Sequence, residues 1–334
     1  MIMGGLKRDI NLALHTTLGI GGPARYFFQA RTEDRLKEAV RWSVGERVPW
    51  MVIGSGSNLL VSDRGFPGLV IKNDIAGIKQ SGQKLIVKGG TLLKDLVDFA
   101  NQAGLGGLEK MTGIPGTVAG AVCGNAGAYG QAISDRLVRV KVFAGRKERS
   151  LNRDQCRFSY RESIFKEKKD LIILEAEFLL ERAAPQDLKA VSQEIRSLRE
   201  KKYPAGLKCP GSFFKNLRVE DLPPRARAKV PKDKIVHGKV PAGYLLEEVG
   251  AKGKSLGGVK IASYHGNLFF NEGGGTAEDF LALAKECRRR VKERFGVRLE
   301  PEVQLVGFPP EADPPLAEEI VIEPVFKVLI LLRK

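Results

Sequence analysis

The sequence predicts an α+β protein of more than one domain, and three observations carry that reading. Helical and strand patterns are interspersed along the chain, and the short strands crowd around glycine turns. A chain of 334 residues also exceeds the roughly 250 that a single core commonly organises. After Tyr203-Pro204 the composition shifts to glycine, proline and basic residues, which places a domain boundary near residue 205.

Taken in order, residues 32–43 carry helical periodicity, and residues 49–53, 59–62 and 69–72 read as strands, with the turn GSGSN at 54–58 between the first two. A helix over 92–103 has Thr91 as its expected N-cap and Gly104 just past its end. It delivers the chain to GIPGTVAGAVCGNAGAYG at 113–130, a stretch with six glycines. Strands over 137–143 and 171–180 follow, and Pro185 precedes an amphipathic helix over 187–202. The last region carries strands at 259–262, 268–271 and 303–306, and a helix over 277–294 opened by Thr276 with Asp279 three residues on. The proline-rich residues beyond Gly307 carry no predicted element.

Charge and cysteine usage exclude several classes. The net charge of +16 is spread along the chain, with +4 in residues 1–73, +7 in 74–205 and +5 in 206–334. Only Arg225–Lys239 and Lys285–Arg294 concentrate it, and neither interleaves the aromatics that stack on bases, so both read as solvated surfaces and no nucleic-acid partner is expected. Cys123, Cys156, Cys209 and Cys287 form no CxxC pair, which argues against a metal site and a disulfide framework and for a reducing compartment. The N-terminus lacks a signal-peptide core, and the apolar stretch Val328–Leu332 is far short of a membrane span, so a cytoplasmic protein without membrane contact is expected.

The glycines carry the chemistry. Gly54 and Gly56 begin a GxG, but the third fingerprint position is Leu59 and a strand follows, so this is no Rossmann turn. Gly253-Lys254-Ser255 fails as a P-loop because Glu248 stands where its first glycine belongs. Gly116, Gly120 and Gly124 lack the long apolar segment of a membrane helix pair. What remains is a concave array of main-chain N–H groups over Gly54, Ser55, Gly56, Ser57 and Asn58, suited to a pyrophosphate, with the second glycine segment as the opposite wall. Alone, GSGSN is an ordinary hairpin turn.

Seven segments, in order, resemble the UDP-N-acetylenolpyruvoylglucosamine reductases: TTLGIGGPARYF at 16–27, GSGSNLLVSDRGFPGLVIK at 54–72, GLEKMTGIPGTVAGAVCGNAGAYG at 107–130, FSYRESIFK at 158–166, GSFFKN at 211–216, AGYLLEEVGAKGKSLGGVKIASYHGNLFFN at 242–271 and LEPEV at 299–303. The resemblance implies an FAD-binding domain of the vanillyl-alcohol-oxidase/PCMH type, in two α+β subdomains over 1–73 and 74–205. A substrate-binding α+β domain would occupy 206–307, before an extension over 308–334. It implies non-covalent FAD, NADPH as co-substrate, a UDP-sugar substrate and a monomer. Beyond the GSGSN turn, it assigns cofactor contacts to Thr112, Gly113, Ile114, Pro115, Gly116, Thr117, Gly120, Asn125, Ala126 and Gly127.

The implied reaction delivers a hydride to an enolpyruvyl double bond and a proton to the neighbouring carbon. A fixed cation and a proton donor must meet the charge that develops. The family motifs place these roles on Arg161, Ser212 and Glu302, with Glu300 the rival of Glu302. Lys215 would lower the cost of using Ser212 as an acid, and Glu302 could hold the substrate carboxyl end as a protonated acid in a closed site. Tyr160, Lys215, Asn216 and Glu248 match substrate positions, and Lys252, Lys254 and Lys260 are candidate phosphate partners by charge. His265 reads as a packed residue. Cys123-Gly124 and Leu217 depart from the family pattern, the short spacing from Arg161 to Ser212 resembles the subgroup without a substrate-capping tyrosine loop, and residues 218–240 look inserted. Two readings compete: another flavoenzyme on a related FAD domain, and a basic nucleic-acid-binding protein.

Overall fold

The computed structural model describes residues 3–308, so the expected extension over 308–334, with its Val328–Leu332 stretch, lies outside the described residues apart from Phe308. A first sheet takes Lys7–Asn11, Pro23–Ala30, Phe66–Asn73 and Trp50–Ile53 in that spatial order, antiparallel at the first pair and parallel thereafter. The helix Glu33–Gly45 connects two of these strands and buries Leu36, Ala39 and Val40 completely. It starts where it does because the Thr32 side chain accepts from the Arg35 amide at 3.3 Å.

The second sheet is antiparallel throughout, in the order Lys147–Asn152, Leu137–Ala144, Leu171–Leu179, Lys84–Lys88 and Ile78–Ser81. Strand alternation divides its side chains between two faces. Val140, Val142, Ile173, Ala176 and Phe178 join a core with Leu93, Leu96 and Val97 of the helix Leu93–Gln102 and Val118 and Val122 of Val118–Cys123. Phe143, Ile172 and Leu174 point the other way and pack with Leu36, Ala39 and Val40 of the first helix. Beside that contact Glu33 binds Lys88, and Glu148 binds Lys37 and Lys141, so charge stitches the first helix to the second sheet. The two lysines hold the Glu148 carboxyl down to about 2.

The third region is built on aromatics. Phe213, Phe214, Phe269 and Phe280 are buried together, with ring centroids 4.7 Å apart for Phe213 and Phe214 and 5.1 Å for Phe213 and Phe280. The helix Ala277–Phe295 covers them, opened by the expected Thr276/Asp279 capping box and ended by Gly296 at φ 72°. Asp63 adds a carboxylate to its N-terminus, accepting from the Ala277 amide at 2.9 Å. Residues 218–240, which look inserted by sequence, close on themselves through Leu217–Arg218 and Lys239–Val240, and sink Leu222, Ala226 and Val230 into this same core.

The chain then returns to its beginning: Gln304–Val306 pairs in parallel with Leu59–Val61. One expected cap is corrected. The helix after the second sheet hairpin begins at Leu93 with Leu92 as N-cap and no side-chain bond, because the Thr91 hydroxyl is spent on both backbone groups of Gly77.

Candidate active site

The turn at 54–58 leaves the strand Trp50–Ile53 and runs directly against the second glycine segment. A Cβ on Gly54 would lie 2.4 Å from Thr117 Oγ1, one on Gly116 would lie 2.8 Å from Ser57 Oγ, and one on Gly56 would sit 2.0 Å from the His15 carbonyl. Ser57 Oγ donates to the Pro115 carbonyl at 3.2 Å. These glycines therefore serve first to let two chain segments touch. They also leave donors over: among the described residues, the amides of Ser55, Gly56, Ser57, Asn58, Gly116 and Thr117 donate no hydrogen bond within the protein. Ser55 and Thr117 line one cavity of about 230 Å³ with Thr16, Thr17, Lys72 and Asp74, and the exposed side chains of Leu14 and Leu92 stand at its rim. Unsatisfied N–H groups on both walls and apolar side chains at the edge fit a phosphate-bridged dinucleotide such as FAD.

The rest of the second segment turns toward the chemistry. Thr117 caps Val118–Cys123 by accepting from the Gly120 amide at 3.3 Å. Asn125, at φ 41°, donates to the Ser159 carbonyl at 2.8 Å, while its own Oδ1 is buried without a partner among the described residues. Thr112 faces inward, its hydroxyl donating to the Glu109 carbonyl at 2.7 Å and meeting Ser192 Oγ at 2.9 Å. Ile114 and Ala126 pack on the second core, and Gly113, at φ 76°, leaves room for Arg199.

Arg161 meets Glu302 directly, and the segment that carries Ser212 is tied to Glu302 through the backbone. Residues 159–162 form a turn closed by reciprocal Ser159 and Glu162 backbone bonds, and Arg161 takes a φ of 60° within it, a conformation costly for a side chain of that size. From there its Nε donates to Glu302 Oε1 at 2.6 Å and its terminal nitrogen to the Gly127 carbonyl at 2.8 Å. The Glu302 amide donates to the Phe213 carbonyl at 2.7 Å, which sets its backbone beside the residue next to Ser212. Asn58 Nδ2 donates to the Glu302 carbonyl at 3.0 Å, so the first glycine turn holds the same strand. Glu302 thus accepts from the Arg161 guanidinium.

Around this centre Lys215 bridges Glu162 at 2.8 Å and Glu300 at 3.1 Å. Burial would raise the Glu162 carboxyl, but Lys215 and Lys166 outweigh it and hold it below the ordinary range. Burial would likewise lower Lys215, and Glu162 and Glu300 hold it above its ordinary value. The Tyr160 phenol is pushed up by burial, and the Arg161 and Lys239 cations lie 5.3 and 4.4 Å from its ring centre. Asn216 Oδ1 accepts from the Ala242 amide at 3.1 Å, at the start of the helix Ala242–Glu248.

Glu248 does not join them. It stands at the far end of that helix and pairs with Arg294 at 2.5 Å. Lys252 is held by Glu247 at 2.8 Å and Lys260 by Glu272 at 3.2 Å. His265 is packed, as its sequence context suggests; burial and the Lys202 charge push it down to about 4 against the pull of Glu247. Sequence reasoning missed Arg199 and Tyr203. The Tyr203 hydroxyl lies 3.1 Å from Ser212 Oγ, and the Arg199 guanidinium lies 5.2 Å from the Tyr203 ring centre with a buried Nε that has no partner among the described residues. Their four-residue spacing at the end of a helix was the available signal. Among the described residues no group of three or more His, Cys, Asp or Glu is placed to hold a metal ion.

Comparison with known proteins assigns the two halves of this arrangement. A family profile described as FAD binding domain matches residues 24–147, and one described as UDP-N-acetylenolpyruvoylglucosamine reductase, C-terminal domain, matches 203–306. The chain is 45% identical to the UDP-N-acetylenolpyruvoylglucosamine reductase of Solibacter usitatus over 89% of its own length and 95% of that protein's. It is 37% identical to that of Rubrobacter xylanophilus over 91% and 96%. The crystal structure of the Thermus caldophilus reductase superposes with a TM-score of 0.71 at 32% identity, covering 90% of this chain and 99% of that one.

Proposed function

Because the chain belongs to the UDP-N-acetylenolpyruvoylglucosamine reductase family, we propose that it reduces the enolpyruvyl ether of UDP-N-acetylglucosamine to UDP-N-acetylmuramate, a peptidoglycan precursor, through non-covalent FAD and with NADPH as reductant. The observation that carries this reading is the convergence of Arg161, Glu302 and the Ser212 segment on the strand that Asn58 ties to the glycine turn. The free amides of 55–58 and 116–117 would hold FAD, which would supply the hydride chemistry. The residues must manage the charge.

Hydride addition places negative charge beside the substrate carboxylate. Arg161 is a permanent, planar cation with donors left beyond those given to Glu302 and Gly127, so it meets two oxygens where a lysine would meet one. Glu302 orients that guanidinium. Ser212 gives its hydroxyl proton to the neighbouring carbon. Tyr160 and Asn216 line the approach, and Lys215, paired with two carboxylates, braces the third region against the 159–162 turn.

We assign residues 1–73 and 74–205 to two parts of the FAD-binding domain and 206–307 to the substrate domain. The same reading has the chain working as a monomer in the cytoplasm without nucleic acid. In its support, Arg289 pairs with Glu286 and Glu293, and Arg290 with Glu286, so part of the basic helix charge is paired within the helix. No helix among the described residues is long and apolar enough to cross a membrane.

The test divides the reaction. Mixed anaerobically with NADPH the yellow protein should bleach, and the enolpyruvyl UDP-sugar should restore its colour. Ser212→Ala should bleach at the normal rate and recover colour at least 100-fold more slowly. Equal loss of both halves rejects Ser212 as proton donor, and bleaching without recovery in the unaltered protein rejects the substrate.

A further inference from the structure

Resting on the reading of Ser212 as proton donor, we propose that Tyr203 is its positioning residue and the group that restores its proton after each turnover. An alcohol is a weak acid, and one that gives up its proton must be held in a productive rotamer and then reprotonated. The sequence offers Lys215 for this work. Lys215, however, is engaged by Glu162 and Glu300, and the group that touches Ser212 Oγ is the Tyr203 hydroxyl at 3.1 Å. No other side-chain hydrogen bond reaches that oxygen among the described residues.

The placement of Tyr203 is fixed from several directions. It ends the helix Pro185–Lys202, its amide donating to the Arg199 carbonyl at 2.7 Å, and Pro204 stops the helix from continuing. The Arg199 guanidinium and the Lys202 ammonium each lie 5.2 Å from the ring centre. Tyr264, from the third region, donates to the Lys202 carbonyl at 3.2 Å and pins the helix end. Arg199 and Lys202 of one helical turn, Pro204 just beyond it and Tyr264 of another region thus hold a single phenol against Ser212.

The step balances without any further reactant. The Ser212 O–H bond breaks as its proton forms a C–H bond on the substrate, leaving an alkoxide. The Tyr203 O–H bond then breaks and the Ser212 O–H bond re-forms, which is downhill because a phenol is the stronger acid. The half-buried Tyr203 recovers its proton from water.

Tyr203→Phe in the holoenzyme tests this against Ser212→Ala and the double variant. Flavin content, reduction by NADPH and calorimetric affinity for the enolpyruvyl UDP-sugar should match the unaltered protein. Reoxidation by the sugar should slow at least 10-fold, with a larger solvent deuterium isotope effect. The double variant should be no slower than Ser212→Ala alone, because the two act as one unit. Normal reoxidation in Tyr203→Phe, with Ser212→Ala slow, overturns the role of Tyr203 and spares that of Ser212; normal reoxidation in Ser212→Ala overturns the parent reading. Independent, multiplicative losses mark Tyr203 as merely structural and also overturn the proposal. Should Tyr203→Phe fail to fold, a fluorinated tyrosine at 203 keeps the shape and makes the phenol more acidic. It should move the alkaline limb of the reoxidation profile to lower pH, and an unmoved limb overturns the proposal.

Discussion

Glu300 and Glu302 stand two positions apart, yet their surroundings separate them. Glu302 is 22% exposed and takes Arg161, whereas Glu300 is 58% exposed and takes Lys215. A half-buried carboxylate that aims a guanidinium is costly to neutralise, while an exposed partner of lysine contributes little. Glu302→Gln should therefore cut sugar-driven reoxidation at least 100-fold, and Glu300→Gln less than 3-fold; stopped-flow absorbance with each variant measures both, and the opposite order would exchange their roles. The meeting of Arg161 with Glu302 was foreshadowed by motif order, because each sits in a short segment whose neighbours also match. Tyr203 was not, since its place beside Ser212 depends on how the loop over 204–211 folds back. The pairing of Glu248 was not legible for a related reason: a helix of seven residues turns its last acidic position toward Arg294, a partner 46 residues away.

At the level of elements, the GSFFKN segment owes its position to Phe213, which is wedged among Phe214, Phe269 and Phe280. Removing the Phe280 ring leaves a cavity directly behind the residue next to Ser212. Phe280→Ala should destabilise the protein by about 3–5 kcal/mol in urea unfolding, and should slow sugar-driven reoxidation while sparing flavin binding. Unchanged stability would show that this region relaxes without its aromatic centre. The helix over 277–295 was readable in advance because Thr276 and Asp279 form a local, sequence-adjacent box. Thr91 misled because its hydroxyl had a tertiary alternative in Gly77, which no local pattern reveals. The strand Pro23–Ala30 stayed hidden for a similar reason: its pattern PARYFFQA puts Phe27 and Phe28 side by side, and both are buried because elements pack on both faces of the sheet.

Across the whole molecule, the free amides at 55–58 and at 116–117 come from two segments that touch each other, so filling that groove should stabilise both at once. Protein stripped of FAD should melt at a lower temperature, and FAD at 100 times its dissociation constant should restore about 2.7 kcal/mol. A melting temperature indifferent to FAD would place the cofactor elsewhere. His265 adds a pH dependence. Its folded-state value near 4 lies below the unfolded one, so its contribution is complete above about pH 6.5 and is withdrawn as the pH falls toward 4. The melting temperature should drop between pH 6.5 and 5, and His265→Gln should flatten that drop.

The parallel pairing of Leu59–Val61 with Gln304–Val306 also sets a timetable for synthesis. While the ribosome is still making the middle of the chain, the early strand has no neighbour on that edge, and Asn58 lacks the carbonyl that steadies the glycine turn. The nascent protein must keep this apolar edge unmatched until residue 306 has emerged, the circumstance in which chaperones engage unfinished chains and in which distant pairing slows folding. Flavin capture and completion of the catalytic strand would then be one event, occurring only after nearly the entire polypeptide has been made.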